Sequence, residues 1–287
     1  MISIFAKPAF LNINPHEPFS ERKKPVPKNS GYLMRVSSII RGEQIAKQIG
    51  AKLNPKKGYE NDVCIYVKPH VKEGMDFKFE GKPYLDIVDG HDLGQLAKKH
   101  PKLKVIVCSR ADEKTMKKAI NNEIIFIPQH HCNFERIKRT RKKVTTMGVI
   151  GTRDAFPLLP KQLKPELKKR GIKLLEFSRF FYRKDIIDFY KKIDIQFVWR
   201  PYRKTLSNPL KLVNAASFGI PTIALDEPAF LELNYHYIPV NNFETFLNRL
   251  DVLLNNPSVY EILSERCLEK AEEYHIEKVG EMYKALK

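Results

Sequence analysis

The residues able to do chemistry gather at two places in the chain. Asp89, His91 and Asp92 follow the apolar run Tyr84-Leu-Asp-Ile-Val88, on a turn that contains Gly90. Polar groups on a turn past a strand are where catalytic side chains collect, and a carboxylate or an imidazole there serves general acid–base chemistry. Asp92 or Asp89 can instead cap a helix over residues 93–100; the cap suits Asp92, and the chemistry suits Asp89 and His91. The second place is cationic. Arg200, Arg203 and Lys204 follow the apolar run 193–199, and Ser207, Asn208 and Lys211 lie around Pro209. Cations beside a helix N-terminus make a site for an anion such as a diphosphate.

Holding those cations in place takes a strand, a loop, a helix and a second strand. Residues 193–199 have the length and β-character of a buried strand. Ser207 or Asn208 can cap a helix whose first position is Pro209, where a missing N–H costs nothing. That helix buries Leu210, Val213, Ala216 and Ser217 or Phe218, stops at Gly219, and is followed at once by a strand over 221–225. In a parallel sheet this arrangement puts the basic loop and the helix N-terminus at the carboxyl edge, where ligands sit.

The same alternation runs through the rest of the chain. Strands are predicted at 2–5, 62–67, 84–88, 104–109 and 124–128, with helices from about 35 to Gly50, over 93–100 and after Ser109. A second series follows, with strands at 144–150, 172–177 and 237–240 and helices at 161–170, 185–192, 243–254 and 258–274. Such alternation requires a doubly wound α/β sheet. The Pro- and Lys-rich passage 17–28 reads as loop.

The run Pro209-Leu-Lys-Leu-Val-Asn-Ala-Ala-Ser-Phe-Gly219-Ile-Pro221-Thr-Ile-Ala resembles the donor-binding segment of GT-B glycosyltransferases, which carries Glu-Ala on the helix and then Gly-x-Pro before a strand. Asn214 and Leu206 stand where many retaining members have two glutamates; Asn214 can still hydrogen-bond a ribose. Met147-Gly-Val-Ile-Gly-Thr-Arg153 resembles the "Gly-x-Gly-Arg" start of the donor domain, which implies that Arg153 meets the donor diphosphate, with Lys161 a candidate helper lysine. Residues 177–181 stand where relatives contact the nucleobase; Arg179 falls there, and the aromatics beside it pack on the base or in the core. Arg35 resembles an arginine that relatives hold near the first helix, for a phosphate or acceptor anion or a surface salt bridge, and Asp226 or Glu227 a residue reaching sugar hydroxyls.

The resemblance implies an α/β GT-B fold of two Rossmann-like, doubly wound domains facing a cleft. Residues 1–143 would form the acceptor side and 144–287 the donor-binding domain with closing helices. It implies transfer from a nucleotide-sugar, a UDP-sugar first, with no obligatory cofactor or metal, because basic groups and a helix N-terminus neutralise the leaving diphosphate. Donor contacts fall to Arg153, Arg179, Arg200, Arg203, Ser207, Asn208, Lys211 and Asn214, and Asp89 or His91 would take the acceptor proton in an inverting enzyme.

Composition addresses the partner. The chain has 287 residues, 43% hydrophobic, enough for two packed domains. Lys and Arg number 51 against 33 Asp and Glu, a net charge of +18, and such a field attracts polyanions. Its densest part, Arg136-Ile-Lys-Arg-Thr-Arg-Lys-Lys143, is either a solvated face or, through Arg136, Lys138 and Arg139, a contact for a long anionic acceptor. DNA carrying a hydroxymethylated pyrimidine is the favoured acceptor, flipped out of the stack for transfer. The alternatives are a membrane glycolipid or lipopolysaccharide core, with the charge set against anionic headgroups, and a GT-B-like protein that binds nucleic acid or nucleotide without catalysis. Adjacent His130 and His131 point apart and lack a third ligand, which makes them surface or hinge residues. Cys64, Cys108, Cys132 and Cys267 have no zinc spacing and read as reduced and buried; with no signal-peptide shape at the start and no long apolar span, the expectation is a cytoplasmic protein, at most peripheral to a membrane.

Overall fold

The computed structural model describes residues 1–6, 36–71, 76–90, 92–178, 182–201 and 206–287. They form two compact units. The first comprises Met1–Gln129, a short stretch ending at Asn208, and Ile276–Lys287; the second is the remainder, from His130 to His275. Where the sequence suggests one boundary after residue 143, the structure packs residues 130–143 with the second unit and the last helix with the first.

The first unit is built on six strands: β1 (Ile2–Ala6), β2 (Lys52–Leu53), β3 (Val63–Val67), β4 (Lys82–Val88), β5 (Lys104–Val107) and β6 (Ile124–Phe126). All pair in parallel, in the order β2-β1-β3-β4-β5-β6. A parallel sheet is covered on both faces, which is why β3 is apolar and buried at every position rather than at alternate ones. A π-helical stretch, Ser38–Gln44, runs into α1 (Ile45–Ile49), and α2 (Leu93–Lys99) and α3 (Arg110–Ala119) follow β4 and β5. Gly42 lets that stretch lie on β1: a Cβ there would stand 2.6 Å from the Ala6 Cβ. Leu85, Ile87, Val105 and Val107 of the sheet close against Leu93, Leu96 and Met116. Each such burial contributes roughly 1.5–3 kcal/mol before entropy is counted.

The second unit has five strands, β7 (Thr146–Ile150), β8 (Lys173–Phe177), β9 (Ile195–Val198), β10 (Thr222–Leu225) and β11 (Ile238–Val240). They too are parallel, in the order β11-β10-β9-β7-β8. Its helices are α4 (Leu163–Lys169), α5 (Arg183–Tyr190), α6 (Leu210–Ser217), α7 (Phe243–Asn255) and α8 (Pro257–Ala271). Met147, Ile195, Phe197 and Ile223 pack on Leu163, Leu167, Phe246 and Leu250. Gly219 ends α6 as its sequence position predicts. Its φ is 70°, and a Cβ there would meet the Ser264 Oγ at 2.7 Å, so both backbone and space demand glycine. A further helix, α9 (Ile276–Lys284), which the sequence leaves unmarked, belongs to the first unit, with Gly280 set against Ile49 of α1.

In each sheet the chain adds a strand on one side of the first and then crosses to the other. The crossing point lies between β1 and β3 in the first unit and between β7 and β9 in the second. Those are the topological switch points, where loops part and leave a crevice at the carboxyl edge.

Candidate functional site

At the switch point of the second sheet, β7 is followed by Gly151, whose N–H donates to the Phe177 carbonyl at 3.1 Å. The chain then enters a 3-10 turn, Arg153–Leu158, that leaves Arg153 exposed. Beyond β9 come Trp199 and Arg200, and α6 begins after Pro209. Lys211, in the first turn of α6, reaches back to the glycine: its Nζ is 3.4 Å from where a Cβ on Gly151 would stand. That first turn is fixed from below. Buried Gln196 of β9 donates through Nε2 to the Lys211 carbonyl at 2.9 Å, and its Oε1 accepts the Tyr190 hydroxyl at 2.7 Å. Lys211, in the first turn of α6, thus faces the glycine turn, and exposed Arg153 follows that turn two residues on, all at the carboxyl edge of the second sheet. Together they can hold two negative charges through charge-assisted bonds.

Several other sequence-predicted donor groups are engaged within the fold. Arg200 forms a two-point ion pair with Glu227, Nε to Oε1 at 2.8 Å, with side chains only 21% and 11% exposed. Asn214 lies on the buried side of α6, where its Oδ1 accepts the Cys132 N–H at 2.8 Å. Pro209 itself occupies the N-cap position of α6, not Ser207 or Asn208; the Ser207 N–H is tied to the Asp112 Oδ1 at 3.1 Å, in the first unit. Phe177 stacks on Phe189, centroids 5.2 Å apart, in the core of the second unit. Lys161 is exposed. Arg179 and Arg203 lie outside the described residues, as do Arg35 and His91.

The basic run is largely a structural clasp. Asp194, buried just before β9, accepts from Arg139 Nε at 2.9 Å, Arg141 Nε at 2.7 Å and the N–H groups of Thr145 and Thr146. Burial works to raise the Asp194 pKa, but the Thr145 N–H and the two guanidinium groups outweigh it and hold the carboxylate below its ordinary range. Arg136 pairs with Glu272 at 3.1 Å. Lys138 remains exposed. The adjacent histidines are buried, not on the surface: the His131 Nδ1 accepts the Asn133 N–H, and its own N–H donates to the Tyr274 carbonyl.

In the first unit, Asp89 stands just past β4, with its Oδ1 2.6 Å from the Lys68 Nζ beyond β3. Nothing in the sequence signals that pairing, because Lys68 lies 21 positions before Asp89. Asp92 precedes α2 as predicted, but its side chain makes no capping bond. All four cysteines are buried and free. Among the described residues no group of three or more His, Cys, Asp or Glu can hold a metal, and no helix is long and apolar enough to cross a membrane.

Against known proteins, no family model matches the chain. A stretch of 84 residues is 33% identical to an uncharacterised glycosyltransferase of Haemophilus influenzae; it covers 27% of this chain and 24% of that relative's length. An Anabaena protein, HepE, solved in complex with UDP-glucose, superposes with a TM-score of 0.52 at 12% identity, over 71% of this chain and 73% of that one. A glycosyltransferase from Rickettsia africae superposes with a TM-score of 0.50 at 11% identity, over 91% and 82%. Identities this low speak to fold. With two parallel Rossmann-like sheets, each turning at a switch point, the chain has the GT-B fold of the glycosyltransferases it resembles.

Proposed function

We propose that the chain transfers a sugar from a UDP-sugar to a hydroxyl acceptor, and that the second unit holds the donor. The observation that supports this most is Lys211 facing the Gly151 turn at the switch point of the second sheet, with exposed Arg153 two residues beyond that glycine. A diphosphate set there loses its charge to two cations and a helix N-terminus, which stabilises it as a leaving group without a metal. Asp89 is the base we assign to the acceptor hydroxyl: a carboxylate past a strand end, one-third exposed, with Oδ1 held by Lys68.

UDP-glucose is the first donor to test, since the similar Anabaena protein was solved with it. For the acceptor, the hydroxymethylated pyrimidine of DNA rests on the net charge of +18, and a glycolipid at an anionic membrane rests on the same charge. Geometry weakens the local part of that case, because Arg136 and Arg139 already have carboxylate partners.

Calorimetric titration with UDP and UDP-glucose tests the donor site. Arg153→Ala and Lys211→Ala are each expected to weaken UDP about tenfold, or about 1.4 kcal/mol, at an unchanged melting temperature. Failure of the wild-type chain to bind any nucleoside diphosphate would sink the assignment. Sugar transfer to DNA containing 5-hydroxymethylcytosine, read by mass of the digested nucleosides, then tests the acceptor; donor hydrolysis without transfer moves it to a lipid.

A further inference from the structure

Two neighbouring strands of the first unit end in the same unusual way. β3 runs into Lys68 and β4 finishes at Val88, and both residues have left-handed backbones, with φ of 40° and 54°. For a β-branched valine this is a true steric outlier, worth about 1–3 kcal/mol, so its surroundings must impose it. The pairing of β4 with β5 slips at the same place: Asp86 faces Ile106 and Val88 faces Val107, which leaves Ile87 as a bulge. Bulges of this kind re-aim the side chain that follows. Here that side chain is Asp89.

The slip is held from behind. Arg41, fully buried in the π-helical stretch, donates through Nε to the Asp86 Oδ2 at 2.6 Å, and through Nη1 to the carbonyls of Ile127 and Pro128, each at 3.0 Å. The Tyr283 hydroxyl of α9 donates to the same Asp86 oxygen at 2.9 Å. Burial works to lower the Arg41 pKa, but Asp86, with Cys108 and Tyr283 beside it, outweighs that, and the guanidinium stays charged. The Arg41 Nη2 and the Asp86 Oδ1, both buried, find no hydrogen-bond partner among the described residues. A buried ion pair left partly unsatisfied contributes little net stability, so its role is better sought in the geometry it enforces. The Asp86 carbonyl in turn accepts the Lys68 N–H at 2.8 Å, and the Lys68 Nζ donates to the Asp89 Oδ1 at 2.6 Å.

We propose that Lys68 is a positioning residue for Asp89, and that the Arg41–Asp86–Tyr283 cluster holds the two strand ends that bring them together. The proposal rests on Asp89 being the base. Lys68 fixes one carboxylate oxygen and leaves the other for the acceptor. As the acceptor O–H bond breaks, its proton passes to Asp89; the acceptor oxygen bonds the anomeric carbon, and the sugar–phosphate C–O bond breaks with its electron pair leaving on UDP. Asp89 then returns the proton to solvent. Among the described residues, Asp86, Arg41, Asp89 and Asp112 all act on the Cys108 thiol that follows β5; burial, with the three carboxylates adding and Arg41 opposing, pushes that thiol up.

Lys68→Met, Lys68→Arg, Asp89→Asn and the double variant Lys68→Met/Asp89→Asn test this by two readouts: UDP affinity by calorimetry, and release of glucose from UDP-glucose with water as acceptor, resolved into kcat and KM. Lys68→Met is expected to lower kcat for glucose release about tenfold at unchanged KM and unchanged UDP affinity. Lys68→Arg should recover most of that loss, and Lys68→Met should change nothing further in the Asp89→Asn background. Glucose release by Lys68→Met at the wild-type kcat, or an equal loss from Lys68→Met in the Asp89→Asn background, overturns the positioning role. Glucose release by Asp89→Asn at the wild-type rate overturns the base assignment instead, so the Asp89→Asn single variant tells the two failures apart.

Discussion

The Lys211 ammonium faces the Gly151 turn, 3.4 Å from the point a Cβ on that glycine would occupy. The same methyl would stand 3.4 Å from the Ala155 Cβ, an ordinary contact, so Gly151→Ala should fold with a melting temperature close to that of the wild type. It would nevertheless fill the space a phosphate needs beside the backbone. UDP affinity is expected to fall about tenfold, measured by calorimetry. Unchanged affinity would place the diphosphate elsewhere.

Arg200 and Glu227 neutralise each other near the carboxyl edge of the second sheet. Arg200→Ala leaves a largely buried carboxylate without its counter-charge and should cost about 1–3 kcal/mol of stability. Adding Glu227→Gln should recover much of that loss, since it removes the stranded charge. Urea unfolding of the two single variants and the double variant closes the cycle. Additive losses would mean that the pair contributes nothing as a pair.

Asp194→Asn should destabilise the second unit by about 3 kcal/mol at neutral pH, because Arg139 and Arg141 lose a buried counter-charge. The Asp194 pKa is below its ordinary 3.8 in the folded chain, so its contribution is complete above that value and is lost as pH falls through the lower, folded value. The gap between wild type and variant, read from urea midpoints, should therefore narrow only below pH 3.8. A gap that closes already near neutrality would assign the effect to another group.

Burial, with His275, His130 and Arg136 nearby, pushes the His131 pKa from 6.5 down to about 3. The unfolded chain takes up a proton below pH 6.5 that the folded chain refuses, so stability falls as pH drops from 6.5 toward 3. One such proton is worth about 1.4 kcal/mol per pH unit. His131→Asn can keep an acceptor for the Asn133 N–H and should flatten the slope between pH 6 and pH 5 by roughly that amount. An unchanged slope would remove His131 from the acid response.

What the sequence determined by itself was local. Apolar runs of strand length, Gly219 and Pro221 after a helix, and Ser109 before one (its Oγ accepts the Asp112 N–H at 3.0 Å) all act within a few residues, and the two parallel sheets follow from their alternation. The tertiary structure decided which charges are available for chemistry. Arg139 and Arg141 read as surface cations until Asp194, more than 50 residues on, is folded beneath them. Arg200 and Glu227 each looked free for a ligand and instead take each other, and Asn214 turns inward to Cys132. Lys68 acquires a purpose only when β3 and β4 lie side by side. An ion pair depends on distance in space, and one sequence without its fold holds no record of that distance.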